Sequence, residues 1–244
     1  MQTNRIINPQ PVQSKNEMWR FIDLFYPPVC CRCGTLGLEI CNSCYQTIEL
    51  APKFGICERC GSVSRHRTVC MSCQEDPPNY NQLRFWGIYE GTLKTIIQNI
   101  KYKRSLGLIE YLKYDLASFI QDWNIDFDLI VPVPLGRKRQ RERGFNQSAK
   151  VSIAVGKILE KPVNQDSLQR IRETRTQVGL NNAERQNNVR GAFRADESIF
   201  NGTAVLLVDD IATTGATINA CSKALRMGGA ARVFCFTVAK TNNN

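Results

Sequence analysis

Nine of the eleven cysteines fall in the 44 residues from Cys30 to Cys73, and eight of them form four Cys-x-x-Cys pairs. The pairs are Cys30 with Cys33, Cys41 with Cys44, Cys57 with Cys60, and Cys70 with Cys73. A two-residue gap lets both thiolates of one turn reach the same ion, and Gly34 and Gly61 suit the tight turn in which backbone N–H groups point at sulfur. So short a segment has little apolar core of its own, and a structural metal is the expected replacement. Zinc takes four such ligands in a tetrahedron, so eight thiols imply two ions. Disulfides would suit a secreted chain, but the polar start Met1 to Asn16 lacks a signal peptide's apolar stretch, and a reducing cytoplasmic setting is expected. Gaps of 7 residues (Gly34 to Ile40) and 9 residues (Gly61 to Val69) favour first pair with second and third with fourth, although a cross-braced arrangement stays open. Cys31 is left over, and His66, the single histidine, lies between pairs already complete.

The rest of the chain has different chemistry. Hydrophobic residues at 43% and charged residues at 22% exclude a wholly disordered or coiled-coil chain. No apolar run approaches the roughly 18–20 residues of a membrane span, so membrane insertion is not expected. The net charge of +10 is unevenly placed: up to Tyr80 there are 8 basic and 7 acidic residues, and beyond it 24 and 15. An anionic partner is implied for the second part. Pro77-Pro78-Asn79 reads as a hinge. The organisation expected is a disordered polar tail at 1–18, a cysteine-rich module at 19–80, and a second domain at 81–244.

In that second domain strands and helices alternate. Leu83 to Tyr89 reads as a strand, and Leu93, Ile96, Ile97 and Ile100 recur at helical spacing. A second amphipathic helix covers Leu106 to Trp123, and Asp128 to Pro134 reads as a buried strand ended by prolines. Asn146 suits the N-cap of a helix running to Leu159. Thr203 to Val208 is a buried strand, Thr217 to Met227 a helix closed by Gly228-Gly229, and Ala231 to Val238 a last strand. This order predicts an α/β fold with a parallel sheet. Cys221 and Cys235 are expected in its core.

The segment Val205-Leu-Leu-Val-Asp-Asp-Ile-Ala-Thr-Thr-Gly-Ala-Thr217 says most about chemistry. Apolar residues carry the chain through the sheet, Asp209 and Asp210 emerge at its carboxyl edge, and a small hydroxyl-rich loop opens a helix. Backbone N–H groups of Ala212, Thr213, Thr214, Gly215, Ala216 and Thr217, with the threonine hydroxyls, can cradle a phosphate monoester. Gly215 lets the backbone approach its oxygens. The two carboxylates can accept hydrogen bonds from vicinal ribose hydroxyls, at the edge where open α/β sheets bind ligands.

This segment resembles the 5-phosphoribosyl-1-diphosphate (PRPP) motif of type I phosphoribosyltransferases. With Tyr26-Pro-Pro-Val-Cys30, the Cys-x-x-Cys pairs, Val131-Pro-Val-Pro134, Arg143-Gly-Phe-Asn-Gln147 and Asn188-Val-Arg-Gly-Ala-Phe193, the stretch from Asp23 to Ala239 resembles the ComF/ComFC competence-protein family. That resemblance implies a type I phosphoribosyltransferase-like parallel sheet flanked by helices, with an N-terminal cysteine-rich zinc-ribbon module. It places Leu135, Gly136, Arg137, Lys138 and Arg143 in a loop that holds pyrophosphate. Arg172, Arg175 and Arg185 fall in or beside a mobile basic loop. Each of the two basic segments, Arg137 to Arg143 and Arg170 to Arg194, has a net charge of +4.

The function this implies is a cytoplasmic competence protein that binds PRPP with Mg²⁺ and handles single-stranded DNA during natural transformation, alongside other DNA-uptake proteins. A nucleobase phosphoribosyltransferase of salvage and a non-catalytic PRPP sensor are the alternatives. In a transferase, pyrophosphate would leave the ribose C1 carbon with Mg²⁺ and the basic loops stabilising it, so no catalytic side chain is assigned. A base-recognising hood is expected from residues before Leu83, with Phe54, Tyr80, Phe85 and Trp86 as possible stacking rings.

Overall fold

The structure, a computed structural model, describes residues 27–64, 67–172 and 188–241. The expected tail, His66, Arg175 and Arg185 lie outside them. In chain order come two short helices, α1 (Asn42–Tyr45) and α2 (Met71–Glu75), then β1 (Gln82–Ile88), α3 (Gly91–Lys103), α4 (Gly107–Asp122) and β2 (Leu129–Pro132). Next are α5 (Arg137–Arg143), α6 (Gln147–Leu159), β3 (Leu168–Arg170) and β4 (Phe193–Ala195). The chain then forms α7 (Glu197–Phe200), β5 (Ala204–Ala212), α8 (Ala216–Met227) and β6 (Arg232–Lys240).

Four strands make one parallel sheet in the order β1, β6, β5, β2, and β3 pairs antiparallel with β4 in a separate ribbon. Parallel strands covered on both faces read as continuous apolar runs, and β5 and β6 do. Leu206, Val208, Phe234, Phe236 and Val238 face one core with α3, α4 and α6. Val205, Leu207, Val233 and Cys235 face the other, with Ile218, Cys221 and Leu225 of α8. Cys221 and Cys235 are both fully buried, as expected.

The cysteine-rich segment closes the outer edge of β1, which would otherwise present unpaired backbone groups. Ile88 N–H donates to Glu49 O, Ala51 N–H to Trp86 O, and Leu83 N–H to Arg59 O. Ile40, Tyr45 and Ile48 join the core of the sheet. The Pro77–Asn79 segment, read above as a hinge, is pinned: Asn79 donates to the Asn219 side chain at 2.7 Å, and Arg226 Nε donates to Asn79 O at 3.4 Å. The basic run Arg137 to Arg143, read above as a loop, is helix α5. It buries no residue, so apolar periodicity gave it no signal. Its end is set by Gly144, whose φ of 82° is left-handed.

Tyr45 is the link between the cysteine-rich segment and α4: its ring is fully buried and its hydroxyl donates to the Asp115 carboxylate. Tyr45→Phe keeps the packing and leaves the carboxylate short of a partner. Urea unfolding should show a loss of about 1–3 kcal/mol with an unchanged m-value.

Candidate phosphoribosyl site and metal centres

The two halves of the cysteine-rich segment are built alike. In each, a tight turn (Gly34 N–H to Cys30 O; Gly61 N–H to Cys57 O) is closed by a short bridge, Val29 with Leu36 or Ile56 with Val63. A single helical turn, α1 or α2, then brings back the second pair. The eight thiols form two groups, Cys30, Cys33, Cys41 and Cys44, and Cys57, Cys60, Cys70 and Cys73, with the sulfurs of each group within 4.8 Å of one another. This is the sequential pairing. Cys33 Sγ to Cys41 Sγ is 3.6 Å and Cys60 Sγ to Cys70 Sγ is 3.7 Å. A zinc tetrahedron with Zn–S bonds of about 2.3 Å has an S–S edge of about 3.8 Å, so the groups have the size the metal requires.

The thiol chemistry agrees with that fit. Burial pushes the Cys57 thiol up, but backbone N–H groups of Cys60, Cys70 and Arg59 outweigh it and bring it down to about 7. Cys44 is pushed up to about 12, by burial and then by the neighbouring cysteines. A cation between such thiols would favour the thiolate form of all four. Cys31 lies outside both groups, with its thiol pushed up to about 11 by burial and then by Cys30.

The second site lies where the pairing of β2 with β5 ends. Pro132 pairs with Val208, and Val133 N–H continues the ladder to Val208 O at 2.8 Å. Helix α6, which follows β2 and α5, packs on one face of the sheet, and α8, which follows β5, on the other. Neighbouring strands whose connections diverge leave a crevice at their carboxyl ends. A cavity of about 620 Å³ occupies it.

Asp209 and Asp210 line this cavity with Ala212, Thr213, Gly215, Ala216 and Thr217. Gly215 caps α8 with a φ of 75°, a left-handed conformation that a side chain would strain. Leu135, Gly136, Lys138 and Arg143 line the opposite side. Thr214 and Arg137 are adjacent in the chain but are not in the lining. Arg172 is turned to other work, donating to the carbonyls of Asn188 (3.1 Å) and Arg190 (2.7 Å).

The Phe145-Asn-Gln-Ser148 stretch braces the floor. Asn146 caps α6 by accepting from Ser148 N–H at 3.0 Å, and its amide donates to Val133 O at 2.9 Å. Ser148 Oγ then donates to Asp209 Oδ1 at 2.7 Å, and Asp210 N–H donates to the same oxygen at 2.9 Å. Gln147 is buried in the lining, and its Nε2 finds no hydrogen-bond partner among the described residues.

Several lining residues escaped sequence reasoning. Lys101, Tyr102 and Arg104, at the carboxyl end of α3, form a wall, and Lys101 Nζ holds Asp210 Oδ2 at 2.7 Å. This wall comes from residues after Leu83, and no described residue before Leu83 lines the cavity. Arg139 and Arg170 add further cations. Of the proposed stacking rings, Tyr80, Phe85 and Trp86 are buried in the core and cannot stack on a ligand, whereas Phe54 is exposed.

Burial, and then the neighbouring Asp210, push the Asp209 carboxyl up to about 7, against the Ser148 hydroxyl, the Asp210 N–H and Lys101. A carboxyl raised on folding contributes stability below its ordinary value near 3.9 and loses it as pH rises through 7. Asp209→Asn keeps the Oδ1 acceptor and removes that charge. The melting temperature of the variant minus that of the wild type should become more positive from pH 5 to pH 8; a difference independent of pH would contradict this.

Comparison with known proteins finds relatives over most of the chain. A model described as "Phosphoribosyl transferase domain" matches residues 153–244. Competence protein F of Haemophilus influenzae is 30% identical over 210 residues, covering 82% of this chain and 90% of the relative. DNA utilization protein YhgH of Escherichia coli is 28% identical over 208 residues, 83% and 90% of the two chains. Competence protein ComFC of Bacillus subtilis is 25% identical over 243 residues, 93% and 91% of the two chains. The paired four-cysteine groups, the parallel sheet with its acidic strand end, and this extent of likeness together show that the chain belongs to the competence protein F (ComF/ComFC) family, which joins a zinc-ribbon module to a phosphoribosyltransferase-like domain.

Proposed function

We propose that the protein binds PRPP with Mg²⁺ in the cavity between β2 and β5, and single-stranded DNA along the cations at its mouth, as a cytoplasmic factor that handles incoming DNA together with other uptake proteins. The observation that carries this reading is the convergence in one cavity of Asp209, Asp210 and the Ala212–Thr217 loop with Lys101, Arg104, Lys138, Arg139, Arg143 and Arg170. A small-residue loop at a helix N-terminus suits the 5-phosphate. The carboxylates suit the ribose hydroxyls, and the cations and the buried Gln147 donor suit the diphosphate. Mg²⁺ would neutralise the diphosphate alongside them. The names of the relatives, which concern competence and DNA utilization, supply the DNA half of the reading.

Each group of four cysteines would hold one structural zinc. Burial of the first group against the sheet core and of the second against β1 makes these ions part of the fold. Metal analysis of the purified protein should find two equivalents of zinc, and Cys73→Ser should leave about one and lower the melting temperature. Two equivalents retained by that variant would count against the assignment.

Titration calorimetry with PRPP and Mg²⁺ tests the main site. Saturable binding by the wild type should be lost in the Asp209→Ala, Asp210→Ala double variant, and a wild type that takes up no PRPP would sink the reading. Affinity for single-stranded DNA should fall steeply as salt rises, because each neutralised phosphate releases counterions.

A further inference from the structure

The wall of the cavity made by α3 carries a ring that PRPP recognition does not use. Tyr102 is 72% exposed, although Ile96, Ile97 and Ile100 of the same helix are buried. It is the aromatic residue in the cavity lining among the described residues. The Arg143 guanidinium lies over its ring, 5.5 Å from the centroid. On one side of it in sequence Lys101 is fixed to Asp210. On the other, Arg104 has a left-handed φ of 56°, and its guanidinium lies 3.5 Å from where a side chain on Gly144 would begin. An exposed ring with a guanidinium over its face, in a cavity lined by further cations, is the arrangement that stacks a base and tracks the adjoining backbone.

We propose that Tyr102 and Arg143 form a stacking platform for a base of single-stranded DNA at the mouth of the phosphoribosyl cavity, so that DNA and PRPP antagonise each other's binding. This rests on the reading above, that the cavity takes PRPP and its mouth takes DNA. The antagonism follows from shared partners. Lys138, Arg139 and Arg143 line the same cavity as Tyr102, and Arg143 lies over its ring, so the diphosphate and the phosphates flanking a stacked base would draw on the same cations. One set of cations cannot neutralise both anions fully, and linkage makes the loss reciprocal. The Tyr102 hydroxyl is not required, because the stacking face does the work.

Fluorescence anisotropy at fixed salt, with a labelled oligothymidylate and an abasic chain of equal length, tests the platform. Tyr102 is exposed, so its variants should fold. Tyr102→Ala should weaken oligothymidylate binding roughly tenfold, Tyr102→Trp should restore it, and the abasic chain should bind the wild type and Tyr102→Ala alike. Added PRPP with Mg²⁺ should weaken oligothymidylate binding to the wild type. Unchanged oligothymidylate affinity in Tyr102→Ala, or PRPP that leaves DNA affinity unchanged or raises it, would overturn the platform while the DNA reading stood. A wild type that binds neither chain would overturn that reading and the platform with it.

Discussion

The parallel pairing of β2 with β5, Pro132 beside Val208, decides where everything else in the site can be. Because β2 stops at this pair while β5 runs on beside β6, the first residues beyond the pairing, Val133 and Asp209, start the floor of one crevice. Because α6 and α8 pack on opposite faces of the sheet, the crevice is left open among the described residues. Asp209 is therefore held deep between two loops, and Ser148, the second residue of α6, is close enough to donate to it. Shifting the register of β2 by one residue would turn its buried side chains to the other face and separate Asn146 from Val133 O, so the site and the core are specified together.

Much of this was legible in the sequence for physical reasons. Strands buried on both faces must be apolar throughout, so β5 and β6 were visible as runs, and a loop that admits phosphate must be small and flexible at one point, so Gly215 stood out. Helix α5 was hidden because it touches no core. The high helix propensity of its Arg, Lys, Gln and Glu residues, with Gly144 as a stop, was the signal available. Lys101 was hidden for a different reason: its partner Asp210 lies more than 100 positions away, and local pattern carries no information about such contacts. Tyr80, Phe85 and Trp86 show the same limit, since an aromatic residue has the same letter whether it stacks on a ligand or fills a core. The Pro77–Asn79 segment has hinge chemistry, and Asn219 and Arg226 of α8 nevertheless fix it.

The cysteine-rich segment is joined to the phosphoribosyl site by more than chain connectivity. Lys240, the last residue of β6, pairs with Ala212 at the start of the phosphate loop, and Thr241 N–H donates to Ala212 O at 3.0 Å. The ammonium of Lys240 reaches the other way, donating to Cys60 O at 3.3 Å and to Ser62 Oγ at 2.5 Å, above the ring of Phe85. Burial lowers its proton affinity overall, and Cys60, Cys70, Cys73 and Cys57 offset only part of that. Arg84 is placed similarly, donating to the carbonyls of Cys57 and Glu58. Four thiolates around a divalent ion would carry net negative charge, and these two half-buried cations would balance it at the second cysteine group. Without such a centre the Cys57–Ser62 turn would loosen, Lys240 would lose the anionic group that compensates its burial, and the end of β6 that braces Ala212 would be held less firmly. A module that looks in sequence like an appended finger is therefore, by its contacts, a support for the loop that follows β5.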